Sequence, residues 1–128
     1  NCLLDDKKNI QASAFIYEMD LAYSVADIII SRAGASTISE LCLVGKPSIL
    51  VPSPNVSEDH QTKNAIALVD KSAAIMVKDI EAKNDLGNTL RELLKDNKKQ
   101  EELAKNIKKL AIVDSSKLIV DEVLKLID

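Results

Sequence analysis

Residues 26–40 read ADIIISRAGASTISE, in which three consecutive isoleucines lead through small residues into a helix-like repeat. Isoleucine is β-branched, and a run of it is typical of a strand that is buried on both faces, so we expect a strand over residues 26–31. Apolar residues then recur at helical spacing over residues 35–44, and Gly45 followed by Pro47 predicts the end of that helix. The stretch therefore predicts a strand, a turn and a helix in succession.

The same alternation continues on both sides of this stretch. Further strands are predicted at Ile10–Ile16, Pro47–Val51 and Ala73–Val77, and helices at Met19–Val25, from about Glu58 to Asp70, and throughout the chain after Asp79. Aspartates that precede amphipathic stretches are predicted N-caps at Asp79, Asp96 and Asp114. Strands that alternate with helices predict an α/β fold, a Rossmann-like parallel sheet flanked by helices. Four strands are fewer than the usual five or six, so we expect the 128 residues to be the latter part of a domain.

Composition argues against several classes of function. The chain has 17 Lys and Arg against 20 Asp and Glu, a net charge of −3, so no overall field attracts nucleic acid or anionic lipid. Cys2 and Cys42 are too few to suggest a disulfide framework or a metal site, and they suit a reducing cytoplasm. No apolar run approaches the ~20 residues that span a bilayer. The sequence therefore predicts a cytoplasmic domain with neither a metal nor a nucleic-acid partner.

The turn after the predicted strand has the chemistry of a phosphate site. Gly34 permits a tight turn and a close backbone approach, and Ala35 and Ser36 leave the start of the helix unobstructed. Free N–H groups and the positive end of the helix dipole then face a bound phosphate. Glu40 follows on the same helix, where its carboxylate is suited to the two vicinal hydroxyls of a ribose. Small residues at such a turn also serve packing alone, and Glu40 read by itself is equally compatible with a surface carboxylate.

A second polar segment, residues 58–65, lies at the start of the helix after the next strand, and so at the same rim. His60, Gln61 and Asn64 offer donors and acceptors that suit sugar hydroxyls. His60 is the chain's one histidine, which makes it the ordinary candidate for a general base near pH 7. Because no carboxylate partner for it is visible, a binding or capping role is the better interpretation.

Together these motifs resemble a known family. The order is Phe15-Ile16 with Met19, then ADIIISRAGASTISE at residues 26–40, GKPSILVP at 45–52 and DHQ with a following NA at 59–65. This order is similar to the C-terminal domain of the MurG family of bacterial glycosyltransferases, which have the GT-B fold of two Rossmann-like halves facing a cleft. The resemblance implies that residues 1–128 form the UDP-sugar-binding domain and that the acceptor-binding half lies outside them.

The resemblance also implies roles for individual residues. Phe15 and Ile16 line the uracil, and Ile16 does so through its backbone groups. Gly34, Ala35, Ser36 and Thr37 approach the diphosphate and the sugar, and Glu40 holds the ribose hydroxyls. His60 and Gln61 contact the N-acetylglucosamine, Asn64 supports the loop, and Arg32 matches a family position without a defined role. No catalytic base, metal or cofactor is expected in this chain.

The activity implied is transfer of N-acetylglucosamine from UDP-N-acetylglucosamine to a lipid-linked muramoyl-pentapeptide in peptidoglycan synthesis, with inversion at the anomeric carbon. The missing half is expected to bind that acceptor at the inner face of the cell membrane, so the chain alone is expected to be inactive. Three alternatives stay open. They are a non-catalytic donor-binding subunit of a two-chain transferase, a sugar-nucleotide epimerase of similar fold, and an α/β interaction domain.

Overall fold

The computed structural model describes residues 9–14, 16–54 and 60–111. Their helices and strands are α1 (Met19–Val25), β1 (Ile29–Ser31), α2 (Ala35–Val44), β2 (Ser48–Leu50), α3 (His60–Val69), β3 (Ile75–Met76), α4 (Asp79–Lys95) and α5 (97–111). The strands form one parallel sheet in the order β1-β2-β3, with helices between them. The predicted α/β class and parallel sheet are confirmed.

The central strand β2 holds the sheet together. Ile30 of β1 pairs with Ile49, and Ile49 in turn pairs with Ile75 of β3. The ladder continues beyond β2, because the Val51 N–H donates to the Ser31 carbonyl over 2.8 Å. Since all three strands run the same way, their carboxyl ends meet at one rim of the sheet.

Among the described residues the core consists of two apolar clusters, one on each face of the sheet. Ile49 and Leu50 are adjacent on β2 and point to opposite faces, so each belongs to a different cluster. The cluster of Leu50 includes Leu41 and Cys42 of α2, and Cys42 is 2% exposed, as expected for a small hydrophobe on an apolar face. Helix α5 contributes to both clusters, which ties the two faces together.

The ends of the helices follow local chemistry, with one exception. Helix α2 ends at Gly45, as predicted; Gly45 has the left-handed conformation at φ 69°, and its N–H donates to the Leu41 carbonyl over 3.0 Å. Asp96 caps α5 by accepting the Lys99 N–H over 3.0 Å. Asp79 is not a cap but the first residue of α4, because its carboxylate pairs with Arg32 instead. The third predicted cap, Asp114, lies outside the described residues.

The predicted first strand is wrong for the part of it that the structure describes. Residues 10–14 and 16 form no strand and are exposed, and Phe15 lies outside the described residues. A strand needs a hydrogen-bonded neighbour, and in the described chain the sheet pairs only β1 with β2 and β2 with β3. The alternation of Ile10 with Ala12 and Ala14 mimics a strand, but alanines offer little apolar area to bury. The other three strands are shorter than predicted, and the described part of α3 begins at His60.

Candidate functional site

Apart from Ile16 and Glu40, the predicted site residues that the structure describes are carried by loops and helix starts at one rim of the sheet. Strand β1 leads through residues 32–34 into α2, β2 leads into residues 51–54, and β3 leads to Asp79 at the start of α4. Helix α3 begins at the same rim with His60, whose side chain is exposed. This is the edge at which parallel α/β sheets bind ligands.

The start of α2 presents unpaired backbone donors. The first hydrogen bond within the helix runs from the Ile38 N–H to the Gly34 carbonyl over 2.9 Å, and no side chain caps the helix. The N–H groups of residues 35–37 therefore have no hydrogen-bond partner in the described part of the chain. Because Ala35 and Ser36 are exposed, these donors and the positive end of the helix dipole suit an anion.

Gly34 precedes α2 in an ordinary backbone conformation. Its φ of −66° and ψ of 153° are values that any residue adopts, so the expected need for glycine in a tight turn is not met. A Cβ at Gly34 would lie 3.8 Å from Gln61 Nε2, which is an ordinary contact. The described structure therefore gives no packing or backbone reason that requires glycine at position 34.

Two amides on α3 hold the turn that precedes α2. Gln61 Oε1 accepts hydrogen bonds from the backbone N–H groups of Ala33 (3.1 Å) and Ser53 (2.8 Å). Asn64 Nδ2 donates to the Ala33 carbonyl over 3.0 Å. Both backbone polar groups of the fully buried Ala33 are thus satisfied by α3. Because its oxygen is engaged twice, the Gln61 amide has a defined orientation, and its Nε2 is turned toward Gly34.

Glu40 lies further along α2 and faces α1. The Tyr23 hydroxyl donates to Glu40 Oε2 over 3.1 Å. Burial, and then the hydrogen bond and the charge of Glu40, raise the pKa of Tyr23 above its ordinary value. The two side chains line a groove of about 440 Å³ between the helices, whose walls include Met19, Leu43 and Lys46. Glu40 comes five positions after Ala35, about 7.5 Å further along the helix.

Arg32 is directed away from these groups. Its Nη1 lies 2.6 Å from Asp79 Oδ1 and donates to the Val51 carbonyl over 3.3 Å. The guanidinium thus links the ends of β1 and β2 to the start of α4. The sequence identified Arg32 and Asp79 separately and gave no sign of their pairing.

The predicted residues fall into distinct sets. Gln61 and Asn64 meet through Ala33 beside Gly34, while Glu40 is joined to Tyr23. Ile16 is 43% exposed, lines a separate groove with Tyr17 and Val25, and makes no hydrogen bond to these groups within the described residues.

The described residues contain neither a metal-binding cluster nor a membrane-spanning helix. Within 9–14, 16–54 and 60–111, no three His, Cys, Asp or Glu side chains come together in a way that could hold a metal ion. None of the helices in that part of the chain is both long and apolar enough to cross a membrane.

Comparisons with known proteins agree with the motifs. Residues 1–119, which include every residue assigned to the rim, match the model of the glycosyltransferase family 28 C-terminal domain. Two relatives carry the name UDP-N-acetylglucosamine–N-acetylmuramyl-(pentapeptide) pyrophosphoryl-undecaprenol N-acetylglucosamine transferase. The one from Flavobacterium psychrophilum is 53% identical over 95% of this chain and 33% of its own length. The one from Parabacteroides distasonis is 56% identical over 93% of this chain and 32% of its own length.

A solved structure gives the same result. The crystal structure of Acinetobacter baumannii MurG superposes with a TM-score of 0.69 at 36% identity, covering 77% of this chain and 28% of that one. The chain spans about a third of the length of the curated relatives it matches.

Proposed function

The chain belongs to the glycosyltransferase family 28 C-terminal domain, and on that premise we propose that it supplies the UDP-sugar site of an N-acetylglucosaminyltransferase. The donor is UDP-N-acetylglucosamine, and the acceptor is a lipid-linked muramoyl-pentapeptide. The observation that carries the proposal is the start of α2, where backbone N–H groups without a partner among the described residues lie beside the Gln61 amino group. A set of donors without a facing acceptor is suited to a diphosphate.

The donor lies along α2 in this proposal. Its diphosphate contacts the N–H groups of residues 35–37, and its ribose hydroxyls reach Glu40 about one and a half turns further on.

Ile16, together with Phe15, lines the uracil. Gln61, through Nε2, and His60 contact the N-acetylglucosamine. Two site residues receive supporting roles: Asn64 fixes the turn through Ala33, and Arg32 joins the strand ends to α4.

The chemical contribution of these residues is electrostatic. The acceptor's C4 hydroxyl oxygen bonds to the anomeric carbon while the bond from that carbon to the diphosphate breaks. UDP leaves with the electron pair, and the hydroxyl proton passes to a base that we do not assign to this chain. Negative charge grows on the departing diphosphate, where the start of α2 stabilises it without rearrangement. Because the acceptor is lipid-linked, we place the whole enzyme at the inner face of the cell membrane.

Titration of the full-length protein that carries this sequence with UDP-N-acetylglucosamine tests the proposal. Glu40→Ala should raise the dissociation constant by about tenfold or more, since hydrogen bonds to a charged group are lost. Glu92→Ala is the matched control, because Glu92 is an exposed carboxylate on α4, away from the rim. Absence of binding by the wild-type protein would contradict the proposed function. Equal binding by wild type and Glu40→Ala would contradict the role of Glu40.

A further inference from the structure

The hydrogen bond between Tyr23 and Glu40 joins two helices. The residues are 17 positions apart, one on α1 and one on α2, and the phenol oxygen lies 3.1 Å from Glu40 Oε2. Tyr23 packs against the core cluster beneath the helices, whereas Glu40 is exposed. A side chain anchored in the core therefore restrains one that extends into solvent.

We propose that Tyr23 is a positioning residue for the donor, which orients the Glu40 carboxylate so that it can receive the ribose hydroxyls. The inference rests on the proposed function and adds a residue that neither the motifs nor the expected site included. Tyr23 acts through Glu40 and not by touching the nucleotide.

The geometry leaves the carboxylate able to bind a diol. An ionised carboxylate offers two oxygens and about four lone-pair directions, of which the Tyr23 hydroxyl takes one. Glu40 Oε1 and the second lone pair of Oε2 remain for two vicinal hydroxyls. The Tyr23 hydroxyl thus orients the Glu40 carboxylate and leaves it free lone pairs for the ribose hydroxyls.

Restraint has a clear benefit at this position. A glutamate side chain has several rotatable bonds, and ordering it on binding opposes affinity. A carboxylate that is already held in the bound orientation avoids much of that loss. A tyrosine ordinarily titrates near 10.0, and the pKa of Tyr23 is raised above that value, so its hydroxyl is protonated at neutral pH and can donate to Glu40.

The test is a double-mutant cycle with two nucleotides, measured by calorimetry on the full-length protein that carries this sequence. Tyr23→Phe should raise the dissociation constant for UDP about three- to tenfold, the worth of one partly exposed hydrogen bond. The same substitution should have no further effect in a Glu40→Ala background. It should also leave unchanged the affinity for 2′,3′-dideoxy-UDP, which lacks the two hydroxyls. Thr89→Val, which removes a hydroxyl on α4 that donates to the Asp85 carbonyl away from this groove, is the control and should bind UDP as the wild type does.

Each contrary result has a distinct meaning. If wild type binds UDP but Tyr23→Phe binds it equally well, the inference is overturned and the proposed function stands. If Tyr23→Phe lowers the affinity for the dideoxy nucleotide as much as the affinity for UDP, Tyr23 is a structural residue only. The same holds if Tyr23→Phe lowers the affinity for UDP as much in the Glu40→Ala background as in the wild type. If wild type fails to bind UDP, the proposed function and the inference fail together.

Discussion

Gln61 and Ala33 lie 28 positions apart, and the Ala33 backbone N–H donates to Gln61 Oε1 over 3.1 Å. The same oxygen accepts the Ser53 N–H over 2.8 Å, so a single side chain connects the segments that follow β1 and β2. The amide therefore has two functions on two atoms. Its oxygen fixes the backbone, and its amino group is the part that we propose contacts the donor.

Substitutions at Gln61 should separate these two functions. Gln61→Glu keeps an acceptor for both N–H groups but replaces the amino group with negative charge, so stability should change by less than about 0.5 kcal/mol while donor affinity falls. Gln61→Ala removes the acceptor and leaves the buried Ala33 N–H unpaired, which should lower the free energy of unfolding by about 1–3 kcal/mol. Urea unfolding and UDP-N-acetylglucosamine titration measure the two effects. Equal stability of the two variants would show that the bonds to Ala33 and Ser53 do not support the turn.

Substitution by alanine should affect mainly stability at Gly45 and mainly donor binding at Gly34. Gly45→Ala places a side chain at φ 69° and 3.2 Å from Lys108 Cδ, so it should destabilise the fold by about 1–2 kcal/mol. Gly34→Ala has an ordinary φ and an ordinary contact, so its cost should stay below about 1 kcal/mol. Its methyl group nevertheless stands at the start of α2, where it should weaken donor binding about tenfold. Thermal unfolding and titration of both variants decide this; a larger loss of stability for Gly34→Ala would refute the comparison.

The ion pair of Arg32 and Asp79 should contribute little through charge alone. Their side chains are 55% and 35% exposed, so a double-mutant cycle should give a coupling free energy below about 1 kcal/mol, and salt should reduce it. Arg32→Ala should cost more than Asp79→Ala, because Arg32 also donates to the Val51 carbonyl. Unfolding at low and high salt measures both effects. A large coupling that salt leaves unchanged would mean that the pair is better shielded than its exposure indicates.

The raised pKa of Tyr23 predicts a loss of stability in alkali. The folded state holds this proton more tightly than the unfolded state, whose tyrosine titrates near 10.0. The stabilisation is therefore complete below that pH and is lost as the pH rises through the higher pKa of the folded protein. Lysines titrate in the same alkaline range and also change the stability. The difference in free energy of unfolding between wild type and Tyr23→Phe over this range isolates the contribution of Tyr23. Parallel stability curves for the two proteins would contradict the prediction.

The sequence predicted the features that depend on neighbouring residues. The bounds of α2, its end at Gly45 and the cap at Asp96 follow from residues within one or two turns. Parallel topology then brings the strand ends to one rim. The pairing of Arg32 with Asp79 and of Gln61 with Ala33 was not predicted, because it depends on how separate loops stack. The strand at Ile10–Ile16 was wrong because alternation alone does not supply a neighbouring strand to pair with.

The residues of the sheet are buried and those of the rim are exposed, and this difference bears on how the proposed donor site could be altered. Residues 48–50 of β2 have no exposed surface, whereas Ala35, Ser36 and His60 are exposed at the rim. Random substitution of those three positions should leave folding largely intact, since core and rim draw on different residues. Gln61 and Asn64 are the exceptions because they serve both. A library that varies the exposed rim and holds these two amides fixed is therefore the economical starting point for directed evolution toward other sugar nucleotides.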